Sequence, residues 1–183
     1  MKFRITTQPT GTDIVSLADM KEFLRVEHTD EDTTITAIID AAVQAAQDYT
    51  GRHFASSVFN LGLDYFHNVE VPMGITTVTS ITYFDSAGDS QTLSADKYYS
   101  DFHREPGRIA FIDPPSTETD RFNAVAIVGT LGDTAPPPVV HAIKMLSAHF
   151  YENRRAVIVG TISSKIPLGI EAILNPYRVI SLK

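Results

Sequence analysis

The sequence has no cysteine. That excludes a disulfide scaffold, a zinc finger, a Cys-ligated iron–sulfur site and a thiol nucleophile. Basic residues are also in deficit: 15 Lys and Arg stand against 22 Asp and Glu, a net charge of −7 with His neutral. Such a chain lacks the footprint of a phosphate-neutralising DNA binder, and could meet nucleic acid only as a surface that repels it. Long apolar runs are missing too. No window approaches the roughly 18 apolar residues of a membrane-spanning helix. The opening stretch, MKFRITTQPTGTDIVSL, starts basic but has no apolar run of about seven, so no secretory signal is expected. The expected compartment is the cytoplasm, or a particle assembled there. The P-loop, the dinucleotide glycine fingerprint and the G-x-S-x-G elbow are absent, as are repeats and low-complexity segments.

What remains is ordinary globular material. The 183 residues are 43% hydrophobic and 20% charged, enough for one domain whose core needs no cross-link. Three regimes follow one another. Residues 14–52 read as two helices. Ser16 caps the first, with Leu17, Met20 and Leu24 on one face and Asp19 in a capping-box-like position. Asp30, Glu31 and Asp32 open the second, where the helix dipole favours carboxylates. Ile35, Ile38, Ile39, Ala42, Ala46 and Tyr49 form its stripe, and Gly51 ends it. Ala37, Ala41, Ala42, Ala45 and Ala46 allow close helix–helix approach.

Between 56 and 131 the period changes to two. Phe59, Leu61, Leu63 and Tyr65 alternate with polar or small residues. Thr76–Phe84 runs through an Asp85–Asp89 turn into Ser90–Leu93, a hairpin signal. Glu105–Arg108 turns into Ile109–Ile112, and Asn123–Leu131 reads as a buried strand. Residues 113–120 have the character of an exposed loop. Helix returns at 136–156, opened by the triplet Pro136–Pro138, with Val139, Ile143, Leu146 and Phe150 on one face. Residues 157–183 read as a loop followed by one or two helical turns stopped by Pro176. The expected fold class is α+β: a helical core from both chain ends, with a small antiparallel β module inserted at 56–131.

The residues offer little chemistry. His141 and His149 lie two helical turns apart with Glu152 following, and Asp40 or Asp48 could complete a metal-assisted hydrolase, but nothing fixes that spacing. A partly buried, hydrogen-bonded histidine is the simpler reading. His28, His53, His67 and His103 sit singly. A calcium loop counted from Asp30 fails, because Ile35 and Ala41 occupy its glycine and glutamate positions. Thr161–Lys165 holds a Ser/Lys pair only as sequence neighbours. Arg154-Arg155 are too few for a nucleic-acid patch. No catalytic residue, cofactor or metal is expected.

Val15–Asp19, Leu24–Val26, Asp30–Asp32 and Ile35–Arg52 together resemble the start of the phage head–tail connector (adaptor) proteins. The likeness continues through Ser80–Tyr83, the Asp85–Gly88 turn, Glu105–Ile109, His149–Arg154 and Pro167–Arg178, in order along nearly the whole chain. Phe150 stands where many relatives carry Trp. The resemblance implies a single adaptor domain over 1–183, located in the virion or a gene transfer agent particle. It implies a ring, usually of twelve copies, under the capsid portal, extending the DNA channel and offering a platform to a stopper or tail-terminator protein. Its partners would be the portal, those tail proteins, other copies of itself, and passing double-stranded DNA without specific binding; no membrane is involved. An acidic channel wall suits DNA that must slide. The portal or neighbour interface is expected at Ile166, Pro167, Leu168, Gly169, Ile170, Ile173, Pro176, Tyr177 and Arg178, unless those residues pack on their own subunit. Contacts between subunits are expected at Tyr151, Glu152, Arg154 and Arg155. A tail-completion or DNA-packaging factor is the alternative, and the hydrolase a more distant one.

Overall fold

A computed structural model describes residues 2–71, 74–103, 106–118, 120–132, 134–154 and 167–179. The chain separates into two compact units, Met1–Gln8 with Ser56–Asp133, and Pro9–Ala55 with Thr134–Lys183.

Among the described residues, the first unit holds eight strands in two antiparallel sheets: β1 (Lys2–Thr7), β2 (Ser57–Leu63), β3 (Val69–Val71), β4 (Ile75–Phe84), β5 (Ser90–Thr92), β6 (Tyr98–Asp101), β7 (Gly107–Phe111) and β8 (Val125–Leu131). One sheet runs β1-β2-β8-β4-β5 and the other β3-β7-β6. The central strand β8 buries Val125, Ile127, Gly129 and Leu131 in strict alternation, the period that puts every second residue on one face. Val125, Ile127 and Leu131 join Phe59, Leu61 and Leu63 of β2, Ile81 of β4, and Val69, Val71 and Ile109 of the second sheet in one core. Gly129 is dictated by space. A Cβ there would lie 2.2 Å from the Thr77 carbonyl oxygen and 2.8 Å from the Phe59 ring. The β4–β8 register shifts between Ile75 and Thr77 and again between Val78 and Ser80, bulges of the kind that bend and twist a strand.

The second unit is helical: α1 (Leu17–Leu24), α2 (Asp32–Thr50), α3 (Pro137–Glu152) and α4 (Leu168–Leu174). Ser16 caps α1 by accepting the Asp19 backbone N–H at 3.1 Å. Gly51 closes α2 at φ 71°, in the left-handed region where glycine carries no Cβ penalty. The α2 stripe of Ile35, Ile39, Ala42, Val43 and Ala46 packs with Val139, Ala142, Ile143 and Leu146 of α3. Each fully buried Ile or Leu is worth roughly 1.5–3 kcal/mol. Pro137 and Pro138 sit in the first turn of α3, where a missing N–H costs nothing.

The expected fold class, a helical core from both chain ends around a small β insert, is overturned. The chain does not open on helices: Lys2–Thr7 is a strand that pairs with β2, from Lys2↔Gly62 to Thr7↔Val58. Nor is there one small inserted module, since the strands among the described residues form two sheets and draw on the first residues as well as the middle of the chain. The alternation of Phe3 and Ile5 with Lys2, Arg4 and Thr6 carries the strand signal, but its partner lies more than fifty residues on. Strands β3 and β6, with three and four residues, are too short for a period to register.

Candidate functional site at the ends of α3 and α4

The antiparallel packing of α2 on α3 brings the start of one helix to the end of the other. Glu31, the N-cap residue of α2, is met there by two side chains. The Tyr151 hydroxyl donates to its Oε2, and Arg154 Nη2 donates to its Oε1 at 2.5 Å. The Arg154 guanidinium also lies 4.7 Å from the centre of the Tyr151 ring. The hydrogen bond from Tyr151, and then that from Arg154, hold the Glu31 carboxyl below its ordinary range. The bond to Glu31 pushes the Tyr151 hydroxyl up. Beside this cluster runs an open groove of about 650 Å³, lined by Thr33, Ala37, Ile38 and Ala41 of α2 with Phe150 and Arg154.

The tail forms a second feature of the same unit. Helix α4 passes at Asn175–Tyr177 into a turn of 3-10 helix that contains Pro176, so this proline starts a tighter turn rather than simply ending a helix. Three long-range bonds hold the segment to the end of α2. Tyr49 donates to Asn175 Oδ1 at 2.6 Å, Arg52 Nε to the Tyr177 carbonyl at 2.9 Å, and the Val179 N–H to the Thr50 carbonyl at 2.8 Å. Ile170 and Leu174 are buried in the helical core, with Ile173 and Tyr177 packed against it. The Arg178 guanidinium lies 5.6 Å from the Tyr49 ring centre.

These positions sort the expected interface residues. Ile170 faces inward; Pro167, Ile173 and Tyr177 are half-buried; Gly169, Pro176 and Arg178 are exposed. Leu168 stands apart as an apolar side chain 79% exposed. Tyr151 is half-buried, Glu152 and Arg154 are exposed, and Tyr151 and Arg154 share the Glu31 cluster. Ile166 and Arg155 lie outside the described residues, as does the Thr161–Lys165 run. Sequence reasoning missed Glu31 as the hub, and missed Tyr49, Thr50 and Asn175 as tail anchors. Glu31 and Tyr151 are 120 positions apart, and no local pattern links them. Of the candidate metal residues, His141 meets the Phe23 ring edge at 6.2 Å and His149 lies 3.2 Å from the Asn153 carboxamide. Among the described residues no three His, Asp or Glu side chains gather in a metal-holding group.

Solved structures share this fold over its full length. A chain titled as the neck of an empty GTA particle computed with C6 symmetry has a TM-score of 0.75 and 20% identity, and the alignment covers 100% of this chain and 98% of that one. One from the virion of a native gene transfer agent particle reaches 0.78 at 22% identity with the same coverage. A third, from the neck of a native GTA particle computed with C12 symmetry, gives 0.74 at 21%, again over 100% and 98%. At these identities the likeness is one of fold. Comparison with curated proteins gives no match. The family model described as head completion protein matches residues 13–180, from the turn before α1 past the last residue of the docked tail. The chain therefore belongs to the head completion protein family.

Proposed function

We propose that this chain is a structural component of the head–tail junction of a phage-like particle. The observation that carries the reading is the head completion family match over residues 13–180. The shared fold with chains from gene transfer agent necks supports it. The finer reading is a ring of copies beneath the portal that extends the DNA channel and seats a stopper or tail-terminator protein. Two of the neck structures were computed with six- and twelve-fold symmetry, which favours a ring of twelve. A net charge of −7 suits a wall that duplex DNA must slide past, because repulsion prevents long-lived phosphate contacts.

The portal contact is assigned to residues 166–178. Ile170 and Leu174 hold α4 on its own unit, which leaves Leu168 as the apolar anchor and Arg178 as the polar one. Buried apolar anchors of this kind carry a disproportionate share of interface energy. Contacts between neighbouring subunits are assigned to Tyr151, Glu152, Arg154 and Arg155, next to the α2–α3 groove.

Pull-down of the tagged chain from cells making the particle, with mass spectrometry and imaging, tests the reading. Recovery of portal protein with ring-shaped complexes is the expected result. Recovery with tail proteins and never a portal would replace it with a tail-completion role. Deleting residues 166–183 is expected to abolish portal recovery; undiminished recovery would move the interface elsewhere.

A further inference from the structure

We infer that the outward face of the five-stranded sheet, at its β1 edge, is a docking site for an acidic polypeptide segment carrying an apolar residue. The face is built by register. Lys2 pairs across with Gly62, and Gly62 with Ala126; Arg4 pairs with Asn60. Small residues in the row beside Lys2 leave a groove of about 300 Å³, into which Lys2, Arg4, Asn60 and Asn123 all contribute. Gly62 is needed for it: a Cβ there would lie 2.3 Å from the Asn123 Oδ1. Asn123 is held in the left-handed region at φ 54°, with its backbone N–H on Asp64 Oδ1 at 2.8 Å.

Charge decides the class of occupant. Lys21, Lys97, Arg108, Arg121 and Arg154 each reach a carboxylate. Lys2 and Arg4, neighbours on one strand face about 7 Å apart, have no carboxylate within ion-pair distance among the described residues. Edge charges alone guard against unwanted strand pairing. Here they share a groove with two carboxamides, and two exposed aromatics lie in the chain segments that lead out of β2 and into β8. Phe122 is 84% exposed and Tyr65 62%. Both flank the same sheet end, where Leu63 pairs with Val125 and Asn123 bonds Asp64. Among the described residues β1 has a strand on one side only, so its outer edge also offers main-chain hydrogen bonds to an extended peptide. Duplex DNA is disfavoured, because two basic groups release few counterions and the chain as a whole is acidic. The inference does not depend on a ring or a portal.

The test is an NMR titration of the full chain with a capped peptide of six glutamates around a central phenylalanine, in about 0.15 M salt. Amide shifts clustered on β1, Asn60 and Asn123 are expected, with at least tenfold weaker binding by Lys2→Glu/Arg4→Glu and by Phe122→Ser. The charge-matched variant Arg25→Glu/Lys144→Glu is expected to change affinity less than threefold. Equal loss in that variant, shifts scattered over the surface, or no binding at millimolar peptide would each overturn the site. A short DNA duplex that produced the same shifts at the same salt would overturn the choice of an acidic polypeptide.

Discussion

The hydroxyl of Tyr151, in the last turn of α3, donates to the carboxylate of Glu31 at the start of α2, across 120 positions of sequence. With Arg154 on the other oxygen, one carboxylate ties the start of α2 to the end of α3 at the place where neighbouring subunits are proposed to meet.

This arrangement has a pH signature. The Glu31 carboxyl is lowered in the folded chain, first by the Tyr151 hydrogen bond and then by that of Arg154. Unfolded, it returns to about 4.3. A lowered folded value means its stabilisation is present above that unfolded value and is lost as pH falls through the folded one. Carboxyl NMR titration should therefore show Glu31 titrating low, and rising toward the ordinary value in Tyr151→Phe. An unchanged Glu31 in that variant would remove Tyr151 as the main cause.

Glycine positions separate packing from backbone freedom. Gly129→Ala drives a Cβ into the Thr77 carbonyl and the Phe59 ring, and backbone in a central strand cannot yield cheaply. A loss of about 3 kcal/mol or more is expected, as for severe overpacking. Gly169→Ala, in α4 with nothing within 4 Å, should instead stabilise by about 0.4–1 kcal/mol through the unfolded chain. Denaturant unfolding followed separately for each unit reads both, and a tolerated Gly129→Ala would mean the β4 bulge relaxes.

In α4, burial and exposure alternate within one turn. Leu174→Ala empties a fully buried site and should cost about 2–5 kcal/mol. Leu168→Ala, at a side chain 79% exposed, should stay within about 0.5 kcal/mol. Thermal melts of the two variants decide it; equal losses would mean that Leu168 is covered in solution.

Leu168→Glu carries the functional side of that contrast. The variant should melt like the parent chain yet recover little portal protein in the pull-down, because a charge replaces the proposed apolar anchor. Full recovery would take Leu168 out of the interface.

Local physics was legible where an element is long and closes on itself. The α2 stripe ending at Gly51, the Ser16 cap and the prolines opening α3 follow from helical period and capping chemistry, and the Asp85–Asp89 hairpin from turn chemistry. Strand β1 was missed although Phe3 and Ile5 alternate with polar residues, because six residues mean little until β2 is seen beside them. The tail showed a related limit. The family resemblance implied an interface there without ranking its residues, and only packing separated Ile170 and Leu174, which hold the helix down, from Leu168, which is left outward.

By itself the sequence determined charge, the Ser16 and Gly51 caps, the absence of cysteine chemistry and a family likeness, all properties of composition or of neighbours a few residues apart. The tertiary structure decided that the first residues join a β unit of two sheets and that Glu31 rather than Arg154 is the hub of its cluster. It also left Lys2 and Arg4 without a counter-charge among the described residues. Those outcomes depend on pairings between residues more than fifty positions apart, and no local period or motif encodes which distant partner a side chain will meet.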